Sequence, residues 1–119
     1  MSRVSSVTID NFEDEVLRSP VPVVVEFYAD WCGPCRILAP ALESNAHAVG
    51  NAVKFAKVNV DAESELAAQF DVSSIPTLLF FRNGRRVDQI TGLPSASALQ
   101  NKIVALTRRP RERPIVRGG

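Results

Sequence analysis

The chain has 119 residues, 45% of them hydrophobic and 23% charged, which fits one globular domain long enough to bury a core. Formal net charge is +1, but residues 108–119 hold five Arg and one Glu, which leaves −3 on residues 1–107 and no basic stripe of the kind that binds nucleic acid. No apolar run approaches membrane-spanning length, and Asp10, Glu13, Asp14, Glu15 and Arg18 interrupt the start of the chain, so neither a signal peptide nor a membrane anchor is expected and the location is read as cytoplasmic.

In chain order, Ser6-Val7-Thr8-Ile9 predicts a short strand. Asp10 followed by Glu13 fits a capping box for a helix whose Phe12 and Val16 face inward, ended by Ser19-Pro20. Val23 to Phe27 is a β-branched run that reads as a buried strand, with Pro22 at its entrance. After Trp31-Cys32-Gly33-Pro34-Cys35 comes a helix carrying Leu38, Leu42 and Val49 at helical spacing, with a bend expected at Pro40. Val53 to Val60 predicts a strand covered on both faces, and Ser64 to Phe70 a short helix with Leu66 and Phe70 inward. Thr77 to Phe81 and Arg86 to Thr91 flank Asn83-Gly84, a strong hairpin signal. A last helix starting near Ser95 buries Leu99, Ile103 and Leu106. The order β-α-β-α-β-α-β-β-α predicts an α/β fold: a mixed central sheet, parallel where helices connect the strands, flanked by helices on both faces.

The chemistry concentrates at the only two cysteines, Cys32 and Cys35, placed where a buried strand hands over to a helix N-terminus. Unpaired N–H groups and the helix dipole favour a thiolate there, and a thiolate is the species that attacks a disulfide. Cys32, ahead of the helix, is expected to be the more exposed and nucleophilic thiol, and Cys35, one turn inside, the shielded resolving one. A zinc half-site would need four ligands, and only His47 remains, on a helix surface. A purely structural disulfide closing so short a loop removes little unfolded-state entropy. Glu26, in the middle of an apolar strand, is too expensive to bury alone; its natural partner is Lys57. The two readings of Glu26 are a buried ion pair that sets register and a desolvated carboxyl that exchanges protons with Cys35. Trp31 beside the thiols is read as shielding the site and docking substrate rather than as core.

Trp31-Cys32-Gly33-Pro34-Cys35 after an apolar strand, with Ser74-Ile75-Pro76-Thr77 before another, resembles the thioredoxin family from about Val4 to about Leu106. The resemblance supplies the strand order and implies a general protein-disulfide reductase that cycles between dithiol and disulfide. Cys32, Cys35, Glu26 and Lys57 are then the candidate catalytic residues. Trp31, Gly33, Pro34, Ile75, Pro76 and Gly92 are the candidate substrate-binding residues, with Pro76 in the cis form. The resemblance implies no cofactor or metal on the chain itself, a monomer, disulfide-bearing protein substrates, and an NADPH-driven, flavin-dependent thioredoxin reductase as electron source. Residues 1–107 would be the thioredoxin domain and residues 108–119 a basic Arg/Pro-rich tail, expected to be disordered. Departures from the family pattern are Glu26 for the usual Asp, Tyr28 for a second Trp, Arg36 for Lys, and the choices at Ser74, Thr91 and Leu93. A non-catalytic binding module and an exported disulfide donor are the competing functional classes.

Overall fold

Val23 to Tyr28 (β2) is the middle of the molecule because both of its faces are covered: five of its six residues are buried. In this computed structural model, which describes residues 2–108, β2 pairs in parallel with β3 (Lys54–Asn59) and antiparallel with β4 (Thr77–Arg82). β1 (Val4–Ser6) lies parallel to β3 and β5 (Arg85–Thr91) antiparallel to β4, giving the order β1-β3-β2-β4-β5. The mixed sheet and its flanking helices agree with the reading of the sequence. β4 carries the apolar run Leu78 to Phe81 because it too is covered on both faces, whereas the edge strand β5 is largely exposed.

Alternate residues of β2 feed two cores. Val24 packs with Leu78 and Phe80 of β4 under Leu38, Leu42 and Ala46 of α1 (Gly33–Val49) and Leu99, Ile103 and Leu106 of α3 (Ala96–Thr107). Val23, Val25 and Phe27 face the other way, onto Phe12, Val16, Leu79 and Phe81, with Leu66 of α2 (Ser64–Gln69). Glu26 follows Val24 on the α1 side, so it occupies a position that alternation assigns to the core. α1 continues through Pro40 without interruption, and Ala46 rather than Val49 completes its buried stripe. Asn83 and Gly84 both have positive φ, 53° and 77°, which is the pair of conformations a two-residue hairpin turn needs.

Two expectations near the N-terminus are corrected. The first strand is Val4–Ser6, not Ser6 to Ile9, because Asn11 Oδ1 accepts the Thr8 N–H at 2.8 Å and turns the chain out of the sheet. Val7 still donates its N–H to the Lys57 carbonyl and is buried. The capping box of Asp10 and Glu13 does not form. A single π-type turn spans Glu13–Leu17 without a side-chain cap; Thr8 and Asn11 do the local hydrogen bonding, the Thr8 carbonyl taking Phe12 N–H at 2.9 Å. Phe12 and Val16 are buried as expected. The reading of the basic tail falls on residues 109–119, outside the described ones.

Candidate active site

β2 ends against a turn that reverses at once into α1. Cys32 donates its N–H to the Ala29 carbonyl at 3.2 Å and accepts Arg36 N–H on its own carbonyl at 3.3 Å, so it closes the turn and opens the helix. With extended φ and ψ (−84°, 110°) it is the N-cap residue, and its Sγ accepts the Cys35 N–H at 3.2 Å. Gly33 and Pro34 fill the first turn, where a missing N–H removes no helical bond. The spacing places the two sulfurs together as a Cys32–Cys35 disulfide, with Cα atoms 5.3 Å apart. The helix N-terminus thus already donates an N–H to the Cys32 sulfur.

The expected difference in exposure between the thiols is absent: Cys32 and Cys35 are each 4% exposed. Tying the sulfurs together folds both side chains under the same neighbours, Ala29, Tyr28, Val60 and Ile75. What distinguishes them is position on the helix, since Cys32 Sγ is the N-cap acceptor while Cys35 faces a cavity of about 240 Å³ behind it.

Glu26 lines that cavity together with Lys57, Tyr28 and Cys35. Glu26 is 4% exposed, and its Oε2 has no hydrogen-bond partner among the described residues. Burial pushes its pKa up to about 7 against a weaker lowering by Lys57. Glu26 and Lys57 are register neighbours, but no ion pair within 4 Å joins them among the described residues. The Lys57 ammonium lies over the Tyr28 ring, 5.4 Å from its centroid. The buried ion pair expected of Glu26 and Lys57 is therefore not formed, although the ammonium still acts on the carboxyl through its charge.

Trp31 is 68% exposed, so it is not core, and its Nε1 donates to Asp61 Oδ2 at 2.8 Å. Asn59 builds the acceptor's turn, its Oδ1 taking the N–H groups of Asp61 and Ala62 at 2.9 and 3.3 Å. Arg36 forks onto the Asp30 carbonyl through Nε and Nη2, at 3.2 and 2.7 Å. Opposite the thiols, Ile75 packs on the cysteine pair and its bond to Pro76 is cis. Thr77 donates its hydroxyl to the Ser74 carbonyl at 2.6 Å, and Gly92 donates its N–H to the Pro76 carbonyl at 2.8 Å. Gly92 has φ of 85°, and a Cβ on Gly33 or Gly92 would meet nothing within 4 Å, so both backbones are open on the surface. Most of the residues singled out from the sequence therefore meet at one end of the sheet, while His47 is exposed near the C-terminal end of α1.

Asp61, Asn59 and the contact of Tyr28 with Lys57 were not foreseen. The only trace of Asp61 in the sequence is that an exposed indole N–H beside the thiols wants an acceptor, which names no residue. Tyr28 stood out as a departure from the family pattern, without a role.

A family model described as Thioredoxin matches residues 3–105. The chain is 43% identical over 103 residues to Thioredoxin 1 of Synechococcus elongatus, covering 87% of this chain and 96% of that one. It is 41% identical to Thioredoxin 1 of a Nostoc species with the same coverage. It is also 40% identical to the mitochondrial thioredoxin of Rattus norvegicus, over 83% of this chain and 63% of the relative.

Proposed function

The chain belongs to the thioredoxin family and is a thiol–disulfide oxidoreductase, and from this we propose that Cys32 makes the first attack on a substrate disulfide, Cys35 the second, and Glu26 takes the proton that Cys35 must lose. The observation that carries the assignment is the Cys32 sulfur at the N-cap of α1, accepting the Cys35 N–H at 3.2 Å. In the reduced protein that donor and the helix dipole favour the Cys32 thiolate. The thiolate attacks one sulfur of the substrate, a mixed disulfide forms, and the other substrate sulfur leaves as a thiolate that picks up a proton. Cys35 then gives its proton to the Glu26 carboxylate across the cavity and attacks Cys32 Sγ. The second substrate thiol is released, the substrate has gained two electrons, and the protein is left as the Cys32–Cys35 disulfide.

Gly33, Pro34, Ile75, Pro76 and Gly92 supply an apolar surface with open backbone beside the sulfurs, suited to an extended substrate segment, and Trp31 borders it. Membership in the family implies protein substrates and a reductase. The reductase we propose is the NADPH-driven, flavin-dependent thioredoxin reductase. Among the described residues no helix is long and apolar enough to cross a membrane. Action in the cytoplasm as a monomer belongs to this proposal, as does residues 1–107 being the working domain.

The order of attack is tested by reduction and trapping. Reduction of insulin disulfides by dithiothreitol should be accelerated by the protein, and Cys32→Ser should abolish the acceleration. Limited alkylation near neutral pH should label Cys32 first, and Cys35→Ser should accumulate mixed disulfides through Cys32. Equal labelling of both thiols with no trapped species would overturn the assignment, and insulin reduction by Cys32→Ser would favour a non-catalytic role for the cysteine pair.

A further inference from the structure

On β2, Glu26 and Tyr28 are two residues apart and share a face. Across from them on β3, Lys57 is the register partner of Glu26 and Asn59 that of Tyr28. Neighbouring strands lie close enough for an ammonium and a carboxyl at paired positions on one face to reach each other. Here they do not: no ion pair joins them among the described residues, Glu26 Oε2 is buried and unpartnered, and the Lys57 Nζ sits 5.4 Å above the centroid of Tyr28. An aromatic face attracts a cation through its quadrupole, more strongly where water is scarce.

We propose that Tyr28 is a positioning residue for the reaction: its ring face holds the Lys57 ammonium away from Glu26 and so keeps the carboxyl behind Cys35 unpaired and able to take up a proton. The other groups facing the cavity do not substitute for Lys57 as a counter-charge. Asp30, Glu43 and Cys35 are not cationic, and the Arg36 guanidinium is engaged on the Asp30 carbonyl. Glu43 is itself engaged, accepting from the Ser2 hydroxyl and the Arg3 N–H at 2.8 Å each. From β4 the register neighbour of Glu26 is Leu78, which is apolar. Lys57 is thus the cation able to reach the carboxyl, and Tyr28 is the group that restrains it. This deepens the proposed function, since it rests on Glu26 being the proton acceptor for Cys35.

The test measures the Glu26 carboxyl midpoint by carbon NMR titration of the reduced full-length protein, in the parent and in variants. In parallel, stopped-flow reduction of dithiobis(nitrobenzoate) by excess protein follows the first and second release of the coloured thiol from pH 5 to 9. Tyr28→Leu is expected to lower the Glu26 midpoint by about one pH unit, because the freed ammonium can then approach within pairing distance. Tyr28→Met, a slimmer apolar replacement, carries the same expectation should the leucine variant fail to fold. Tyr28→Phe, which keeps the ring face, should retain the parent midpoint. In a Lys57→Met background the Tyr28→Leu shift should vanish. An unmoved midpoint in Tyr28→Leu and Tyr28→Met would overturn the proposal. So would a downward shift that survives in Lys57→Met, since that would report water entering beside a smaller side chain. A midpoint that falls while the second thiol release keeps its pH profile would leave Tyr28 in its place and instead remove Glu26 as the proton acceptor.

Discussion

A carboxyl buried beneath α1 with one oxygen unpartnered is defined by the proton it carries, and that proton links the proposed reaction to stability. Burial raises the Glu26 pKa from 4.5 to about 7, so the folded protein holds a proton that the unfolded chain has already released over that interval. The sign follows from this. Below about pH 4.5 both states are protonated and Glu26 imposes no ionisation penalty. Between 4.5 and 7 only the unfolded chain releases the proton and stability falls, the loss being complete once pH has risen through 7 and the folded state has ionised its buried group. The two-and-a-half-unit difference corresponds to a loss on the order of 3 kcal/mol. Glu26→Gln abolishes the ionisation, so denaturant unfolding of the oxidised variant should show a gain over the parent that is large at pH 8 and small at pH 4.5. A gain independent of pH would mean that packing and not ionisation is what the substitution changes. The same variant should slow the second thiol release in the stopped-flow assay several-fold while sparing the first, because in the proposed reaction only Cys35 gives its proton to the carboxyl.

Among the elements, the hairpin and α3 show how local chemistry is held in place by distant contacts. Ser95 caps α3 by accepting the Ala98 N–H at 3.1 Å, and at the far end Arg82 of β4 donates to the Leu106 carbonyl at 3.1 Å. The turn between β4 and β5 has a tighter constraint. Gly84 has positive φ, and a Cβ there would lie 2.8 Å from the Leu17 carbonyl oxygen, a backbone atom with little freedom to withdraw. Gly84→Ala should therefore destabilise by about 2 kcal/mol through combined strain and close approach, read as a lower denaturant midpoint at unchanged slope. Since the turn lies at the end of β4 away from Pro76, insulin reduction per folded molecule should be unchanged.

At the scale of the whole molecule, one sheet separates two apolar cores, and the working end lies where β2, β3 and β4 meet the start of α1. Val24, Leu78 and Phe80 sit fully covered under α1 and α3, so the N-terminus of α1 is carried on a packed platform. Everything in the proposed reaction lies between residues 26 and 92, and the family match ends at residue 105. Deleting residues 109–119 should accordingly leave the insulin-reduction rate and the Tm within experimental error of the full chain. A fall of several degrees in Tm would place part of the folding unit beyond residue 108.

The strand, turn and helix that bring the two thiols together were legible in the sequence because each is written in neighbouring residues. The β-branched run of β2 codes burial, Gly33-Pro34 codes a helix start, and Asn83-Gly84 codes a hairpin. Even the cis bond before Pro76 and its closeness to Gly92 followed from the family resemblance of a short string. The first strand was shifted because Thr8 and Asn11 hydrogen-bond each other, a competition that hydrophobic pattern does not score. Tertiary structure alone decided that the two cysteines are equally buried, that Asp61 receives the Trp31 indole, and that Lys57 rests on Tyr28 instead of pairing with Glu26. In each case a flexible or polar group chooses among partners from separate segments, and that choice exists only once the sheet has set them side by side.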